Sequence, residues 1–154
     1  KDFCLCVSTA DCVPILLYDK AKQVIAAIHA GWRGTVGRIV EKTLEVMKAQ
    51  YGTEGQDVIA CIGPSISLES FEVGDEVYAA FAEAGFDMNC IARKYKKWHL
   101  DLWEANRMQL LAHGVLPGNI EVAGICTYQN HEDFFSARRL GIQSGRILSG
   151  IMTR

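Results

Sequence analysis

Two residues with the chemistry of metal ligands, a cysteine and a histidine, lie 17 positions apart near the start of the sequence. Cys12 stands between two apolar stretches, and His29 ends the next apolar stretch. An antiparallel hairpin would bring both side chains to the same end of the two strands. Thiolate and imidazole are typical Zn²⁺ ligands, and a catalytic zinc uses three protein groups with a fourth position open to water. The spacing permits a shared metal site, but a buried apolar thiol and an ordinary hydrogen-bonded histidine also account for it.

A tryptophan and an arginine follow this histidine in a glycine-rich segment. Trp32 and Arg33 are flanked by Gly31 and Gly34. Glycines let the backbone turn sharply beside a large ring, and a guanidinium is a fixed cation. The segment suits a planar or anionic ligand, while a core tryptophan next to a surface arginine is the alternative interpretation.

A second candidate anion site lies towards the end of the sequence. Arg138 and Arg139 follow Phe134-Phe135-Ser136, and Cys126-Thr127-Tyr128 lies a few residues earlier. Arginine is well suited to phosphate because its planar donors match the geometry of the anion. The alternative places the phenylalanines in the core and the arginines in solvent.

The elements that must position these residues follow from the apolar patterning. It predicts strands at residues 3–8, 13–18 and 23–28, the last two joined by a polar turn. It further predicts helices at 35–50, 75–84 and 102–113, and strands at 57–62, 120–125 and 145–152. Since strands and helices do not alternate regularly and several strands are joined by hairpins, we expect an α+β fold with a mixed sheet and covering helices.

Composition limits the class of protein. The 154 residues are 49% hydrophobic with a net charge of −2, which fits one domain, 1–154, with a sizeable core. The 16 basic and 18 acidic side chains form no run of like charge, which argues against nucleic acid and membrane surfaces as partners. Six cysteines in a domain of this size favour reduced thiols and a cytoplasmic location. Because the sequence lacks an initial Met and starts within a strand pattern, we expect a further segment upstream.

Five motifs follow one another along the sequence: Thr9-Ala10-Asp11-Cys12-Val13-Pro14, His29-Ala30-Gly31-Trp32-Arg33-Gly34, Ile62-Gly63-Pro64-Ser65-Ile66, Phe71-Glu72-Val73-Gly74 and Phe135-Ser136-Ala137-Arg138-Arg139. In this order they resemble the motifs of one family, the bacterial laccase-domain family. Its members are known both as multicopper polyphenol oxidoreductases and as purine nucleoside phosphorylases with adenosine deaminase activity. The resemblance runs from residue 3 almost to Arg154.

The resemblance implies a layered α/β/β/α sandwich and a single zinc ion. The ion would be held by Cys12, His29 and a histidine upstream of Lys1, and the substrates would be a purine nucleoside and phosphate. From chemistry alone, Arg33 or the pair Arg138 and Arg139 are candidate phosphate clamps, and Trp32 is a candidate stacking face for the base.

Three other functions remain open at this point. The first is a copper-dependent, laccase-like polyphenol oxidase, although four histidines are few for a multicopper centre. The second is a cysteine hydrolase with Cys12 as nucleophile and His29 as base. The third is a binding module in which four protein ligands close a purely structural metal site.

Overall fold

The computed structural model describes residues 3–153. Within them are nine strands: β1 (Cys4–Thr9), β2 (Val13–Asp19), β3 (Val24–Ala30), β4 (Val58–Ile62), β5 (Glu72–Val73), β6 (Ala92–Lys94), β7 (Trp98–Leu100), β8 (Ile120–Val122) and β9 (Ile147–Met152). The same residues form six α-helices: α1 (Trp32–Val36), α2 (Ile39–Tyr51), α3 (Asp75–Glu83), α4 (Met88–Ile91), α5 (Leu102–Ala112) and α6 (Ala137–Leu140). No helix of this part of the chain is both long enough and apolar enough to cross a bilayer.

The strands form three sheets, and the largest is mixed. Its order is β3-β2-β4-β8, with β2 antiparallel to both β3 and β4 and β4 parallel to β8. A second sheet has the order β5-β7-β6, and β1 pairs with β9 in an antiparallel ribbon. The α+β fold with a mixed sheet is therefore as predicted from the patterning.

The core lies on one face of the mixed sheet, beneath the helices. Alternate residues of β2, namely Val13, Ile15 and Leu17, are fully buried, as expected for a strand whose side chains point alternately to opposite faces. Helix α2 packs on β3, helix α5 packs on β4, and the two helices contact each other. The β1–β9 ribbon contacts β2 and β3 on the other side of the sheet, which gives the layers of a sandwich.

The helix predicted at 35–50 is different in the structure. It starts earlier, at Trp32, and divides into α1 and α2 at Gly37 and Arg38. Arg38 has a φ of +58°, in the left-handed region where a helix cannot continue. Its guanidinium donates to the carbonyl of Ala84 and lies 3.8 Å from the ring centroid of Phe86. These contacts come from more than 40 positions away, and helical periodicity gives no sign of them.

The other predicted elements are present with shifted ends. The predicted strand at 120–125 ends already at Val122, and the one at 145–152 begins at Ile147. The patterning missed the three short strands β5, β6 and β7 and the four-residue helices α4 and α6. Elements of two to four residues are too short for a periodicity to be recognised.

Candidate functional site

The hairpin of β2 and β3 brings Cys12 and His29 together. Val13 pairs with Ala30 and Pro14 with His29, so the two predicted ligands lie at the same end of the hairpin. A Cβ atom placed on Gly31 would lie 3.0 Å from Cys12 Sγ and 3.9 Å from His29 Nε2. Both ligand atoms therefore face one point above Gly31 and are at most about 7 Å apart.

Gly31 leaves this point open. Its φ of −69° suits any residue, so the backbone does not require glycine here. A side chain would instead meet the sulfur of Cys12 at a distance tighter than ordinary van der Waals contact. The missing side chain keeps the space between thiol and imidazole free.

A buried polar network fixes the helix that starts at this glycine. The hydroxyl of Thr35 donates to the carbonyl of Gly31 at 3.0 Å and accepts from the side-chain amide of Asn106 at 3.1 Å. The amide of Gln109 donates to the carbonyl of Thr35 at 3.1 Å. The three side chains are completely buried, where lost hydrogen bonds are costly. The network therefore locks α1, and with it the Gly31-Trp32 segment, onto α5.

Asp11 joins three distant segments next to Cys12. One carboxylate oxygen accepts from the hydroxyl of Thr127 and the other from the backbone N–H of Arg138, both at 2.7 Å. The backbone carbonyl of Asp11 accepts from the N–H of Ile66 at 3.0 Å. Asp11 has a φ of +79°, a conformation that aspartate tolerates better than most residues, and it is nearly buried. The turn that carries Cys12 is therefore held from the far side by its neighbouring carboxylate.

An apolar cleft opens beside these groups. A small hollow of about 50 Å³ next to Cys12 is lined by Trp32, Phe71 and Leu102 together with Asp11 and Ile66. An adjoining cavity of about 390 Å³ shares Asp11, Ile66 and Phe71 and reaches Arg138. Apolar walls with a few polar groups at one end are typical of small-molecule sites.

The ionisation of Cys12 depends on its surroundings. Burial raises the pKa of the Cys12 thiol, and the negative charge of Asp11 raises it further, while the positive charge of Arg146 opposes both. Arg146 precedes β9, and its guanidinium donates to the backbone carbonyl of Gly145 at 3.0 Å. Sequence reasoning missed Arg146 because 134 positions separate it from Cys12 and no local pattern connects them.

The other predicted site residues lie at different places. Trp32 lines the hollow beside Cys12, and the guanidinium of Arg33 lies 4.3 Å from the Trp32 ring centroid. Arg138 lines the larger cavity and donates to the carbonyl of Glu72 at 2.9 Å. Arg139 instead contacts Tyr128, to whose hydroxyl it donates at 3.3 Å. The structure thus groups Cys12, His29 and Trp32 closely, with Arg138 at the far end of the cleft and Arg139 beside it.

The side chains at the end of the hairpin are of the types that bind zinc, but they are fewer than a zinc site needs. One thiol and one imidazole face a common point, as Zn²⁺ requires. Between residues 3 and 153, no three side chains of His, Cys, Asp or Glu converge on one metal position. A catalytic zinc with three protein ligands would therefore need one more ligand than Cys12 and His29 provide.

The family of this chain follows from its similarity to known proteins. The model of the family described as "Multi-copper polyphenol oxidoreductase laccase" matches residues 1–154. The chain belongs to this laccase-domain family. The resemblance of the motifs to this family is thereby confirmed.

Curated relatives carry the names of nucleoside enzymes. A protein of Bacteroides thetaiotaomicron named purine nucleoside phosphorylase is 67% identical over 97% of this chain and 57% of its own length. Adenosine deaminase RL5, from an unknown prokaryotic organism, is 49% identical over 94% of this chain and 56% of its own length. The chain thus spans little more than half the length of these laccase-domain relatives.

A solved structure supports the fold of this laccase-domain chain. The crystal structure of YlmD from Geobacillus stearothermophilus superposes with a TM-score of 0.91 at 34% sequence identity. The match covers 98% of this chain and 57% of that one. The predicted fold class, a mixed-sheet layered sandwich, is confirmed by this agreement.

Proposed function

We propose that this chain carries the zinc site and part of the substrate cleft of an enzyme that acts on purine nucleosides, by phosphorolysis of adenosine or inosine and by deamination of adenosine. The observation that carries the proposal is the common point above Gly31 faced by Cys12 Sγ and His29 Nε2. The apolar hollow beside it and the names of the relatives support the same substrate class.

In this proposal Cys12 and His29 hold the zinc ion with a third ligand, a histidine upstream of Lys1. Zinc supplies a Lewis acid that lowers the pKa of a bound water towards 7. Gly31 leaves room for the ion, and the network of Thr35 and Asn106 keeps that room constant. Asp11 fixes the turn that carries the thiol.

The cleft accounts for the purine and the phosphate. Trp32 and Phe71 offer aromatic surfaces for the base in the hollow beside Cys12. Arg138 at the end of the larger cavity, with Arg33 as the alternative, provides a guanidinium for phosphate. In phosphorolysis a phosphate oxygen forms a bond to ribose C1′ while the C1′–N9 bond breaks and the purine nitrogen takes a proton. In deamination water adds at C6 and ammonia leaves.

The direction of the pKa shift at Cys12 favours a role as a metal ligand over a role as a catalytic nucleophile. A catalytic thiol acts as a thiolate and therefore has a lowered pKa, usually from a nearby cation. At Cys12, burial and Asp11 raise the pKa instead. A metal ion binds the deprotonated sulfur and so offsets the cost of deprotonating this thiol. The raised pKa is therefore more consistent with a zinc ligand than with the nucleophile of a cysteine hydrolase.

Product analysis tests the proposal. The protein tested includes the segment upstream of Lys1 that is proposed to supply the third ligand. We expect it, when loaded with zinc, to convert inosine and phosphate to hypoxanthine and ribose 1-phosphate, or adenosine to inosine, as resolved by chromatography. Cys12→Ser and His29→Ala should abolish conversion together with zinc binding, whereas Cys61→Ser, at an exposed thiol on β4, should change neither. Conversion that persists in metal-free Cys12→Ser would contradict the proposal. Oxygen consumption with a phenol by the copper-loaded chain, and no nucleoside turnover, would favour the laccase-like alternative.

A further inference from the structure

The outer face of the β1–β9 ribbon carries three sulfur-containing side chains. Cys4 and Cys6 lie two residues apart in β1 and so point to the same face, with their Sγ atoms 3.4 Å apart. Met152 lies directly opposite Cys4 in the antiparallel register. Directly opposed residues share a face with Cβ atoms about 4.5–5.5 Å apart. The Met152 side chain has three rotatable bonds, so a rotamer that brings its thioether to the thiols is available to it.

A glycine leaves the space over this sulfur cluster open. Gly150 is the register partner of Cys6, and a Cβ atom placed there would lie 2.8 Å from Cys6 Sγ and 3.0 Å from Cys4 Sγ. Both thiols are exposed, and Met152 is 52% exposed. The cluster is therefore accessible to a solute ion.

The three donors share one chemical property, which is softness. Thiolate and thioether ligands select soft ions such as Cu(I), whereas zinc sites use thiolate, imidazole and carboxylate. We propose that Cys4, Cys6 and Met152 bind one Cu(I) ion on the outer face of the ribbon. The site is separate from Cys12, since Cys4 and Thr9 mark opposite ends of β1, about 17 Å apart at the rise of a strand.

Binding is an exchange of protons for metal and involves no electron transfer. The hydrogen bond with Cys4 raises the pKa of the Cys6 thiol. Metals bind the thiolate form of cysteine, so binding displaces the thiol protons. Two S–H bonds break and two protons leave to solvent, while two thiolate–copper bonds and one thioether–copper bond form and copper stays Cu(I). Affinity for Cu(I) should therefore increase with pH.

Anaerobic competition with the chromophoric Cu(I) chelator bicinchoninate tests the site. All proteins are reduced and carry Cys12→Ser, so that the candidate zinc site does not contribute. We expect one tightly bound Cu(I) in this parent and a loss of affinity of more than about 100-fold in the Cys4→Ser/Cys6→Ser variant, because both anionic ligands are removed. Met152→Leu, which keeps the size of the side chain, should weaken binding by about tenfold.

Two further variants separate metal coordination from general effects on folding. Gly150→Ala keeps all three sulfurs and fills the space over them, so it should also weaken binding, with circular dichroism unchanged. Cys61→Ser and Cys90→Ser remove exposed thiols elsewhere and should bind as the parent does. Equal affinity in the parent and the Cys4→Ser/Cys6→Ser variant would overturn the proposal. So would an unchanged affinity in Met152→Leu.

Discussion

The carboxylate of Asp11 accepts a 2.7 Å hydrogen bond from the hydroxyl of Thr127, a residue 116 positions away. Its second oxygen accepts from the N–H of Arg138 at the start of α6. The residue next to the candidate metal ligand is thus the point at which the N-terminal hairpin and the C-terminal segment are joined. The geometry of Cys12 depends on both halves of the described chain.

Asp11→Asn tests this junction. Asparagine keeps the size of the side chain and tolerates the positive φ. One carboxylate oxygen, which accepts a hydrogen bond in Asp11, is replaced by an NH₂ group, which can only donate. We expect a loss of about 1–3 kcal/mol in the free energy of unfolding, measured by urea denaturation, because a buried donor is left without a partner. Asp87→Asn, at an exposed helix cap, is the matched control and should change stability little. Equal stabilities of the two variants would contradict the role of Asp11.

Gly31→Ala tests the open point between thiol and imidazole. The added methyl group meets Cys12 Sγ at 3.0 Å without straining the backbone. We expect weaker zinc binding in a chelator competition with little change in thermal stability. Gly118→Ala, where an added Cβ meets nothing within 4 Å, is the control. Zinc affinity that stays the same in Gly31→Ala would mean that the ion, if bound, lies elsewhere.

The network around Thr35 is predicted to contribute to stability. Asn106→Ala leaves the Thr35 hydroxyl and the carbonyl of Leu102 without their buried donor, so we expect a loss of about 1–3 kcal/mol in the free energy of unfolding. Arg107→Ala, on the same helix, breaks only a partly exposed pair with Glu104 and should cost less than about 1 kcal/mol. Urea denaturation of the two variants gives the comparison, and a greater loss for Arg107→Ala would refute this view of the network.

The pH dependence of Cys12 follows from the charges around it. Because burial and Asp11 raise the pKa of the thiol, its alkylation in the metal-free chain should be slow at neutral pH and accelerate as pH rises through that pKa. Asp11→Asn removes a negative charge and should move the profile to lower pH. Arg146→Ala removes the opposing positive charge and should move it to higher pH. Peptide mapping of iodoacetamide adducts measures both shifts, and shifts of the opposite sign would contradict the assigned causes.

The hairpin could be predicted from sequence because its signals are local. Two short, nearly unbroken apolar stretches on either side of the polar turn after Asp19 define β2 and β3. The register of this hairpin brings Cys12 and His29 together. The role of Asp11 and the proximity of Arg146 could not be predicted, since each depends on contacts across more than 100 positions. The break between α1 and α2 at Arg38 could not be predicted for the same reason. The left-handed conformation of Arg38 accompanies contacts with Ala84 and Phe86, and the spacing of apolar residues along a helix gives no information about such distant contacts.

X-ray absorption spectroscopy of the chain loaded with one equivalent of zinc tests the central claim most directly. Zinc held by Cys12 and His29 should show one sulfur neighbour at about 2.3 Å and nitrogen or oxygen neighbours at about 2.0–2.1 Å. The sulfur should disappear in Cys12→Ser and remain in the Cys4→Ser/Cys6→Ser variant. Two or more sulfur neighbours, or a sulfur that persists in Cys12→Ser, would contradict the assignment of this site.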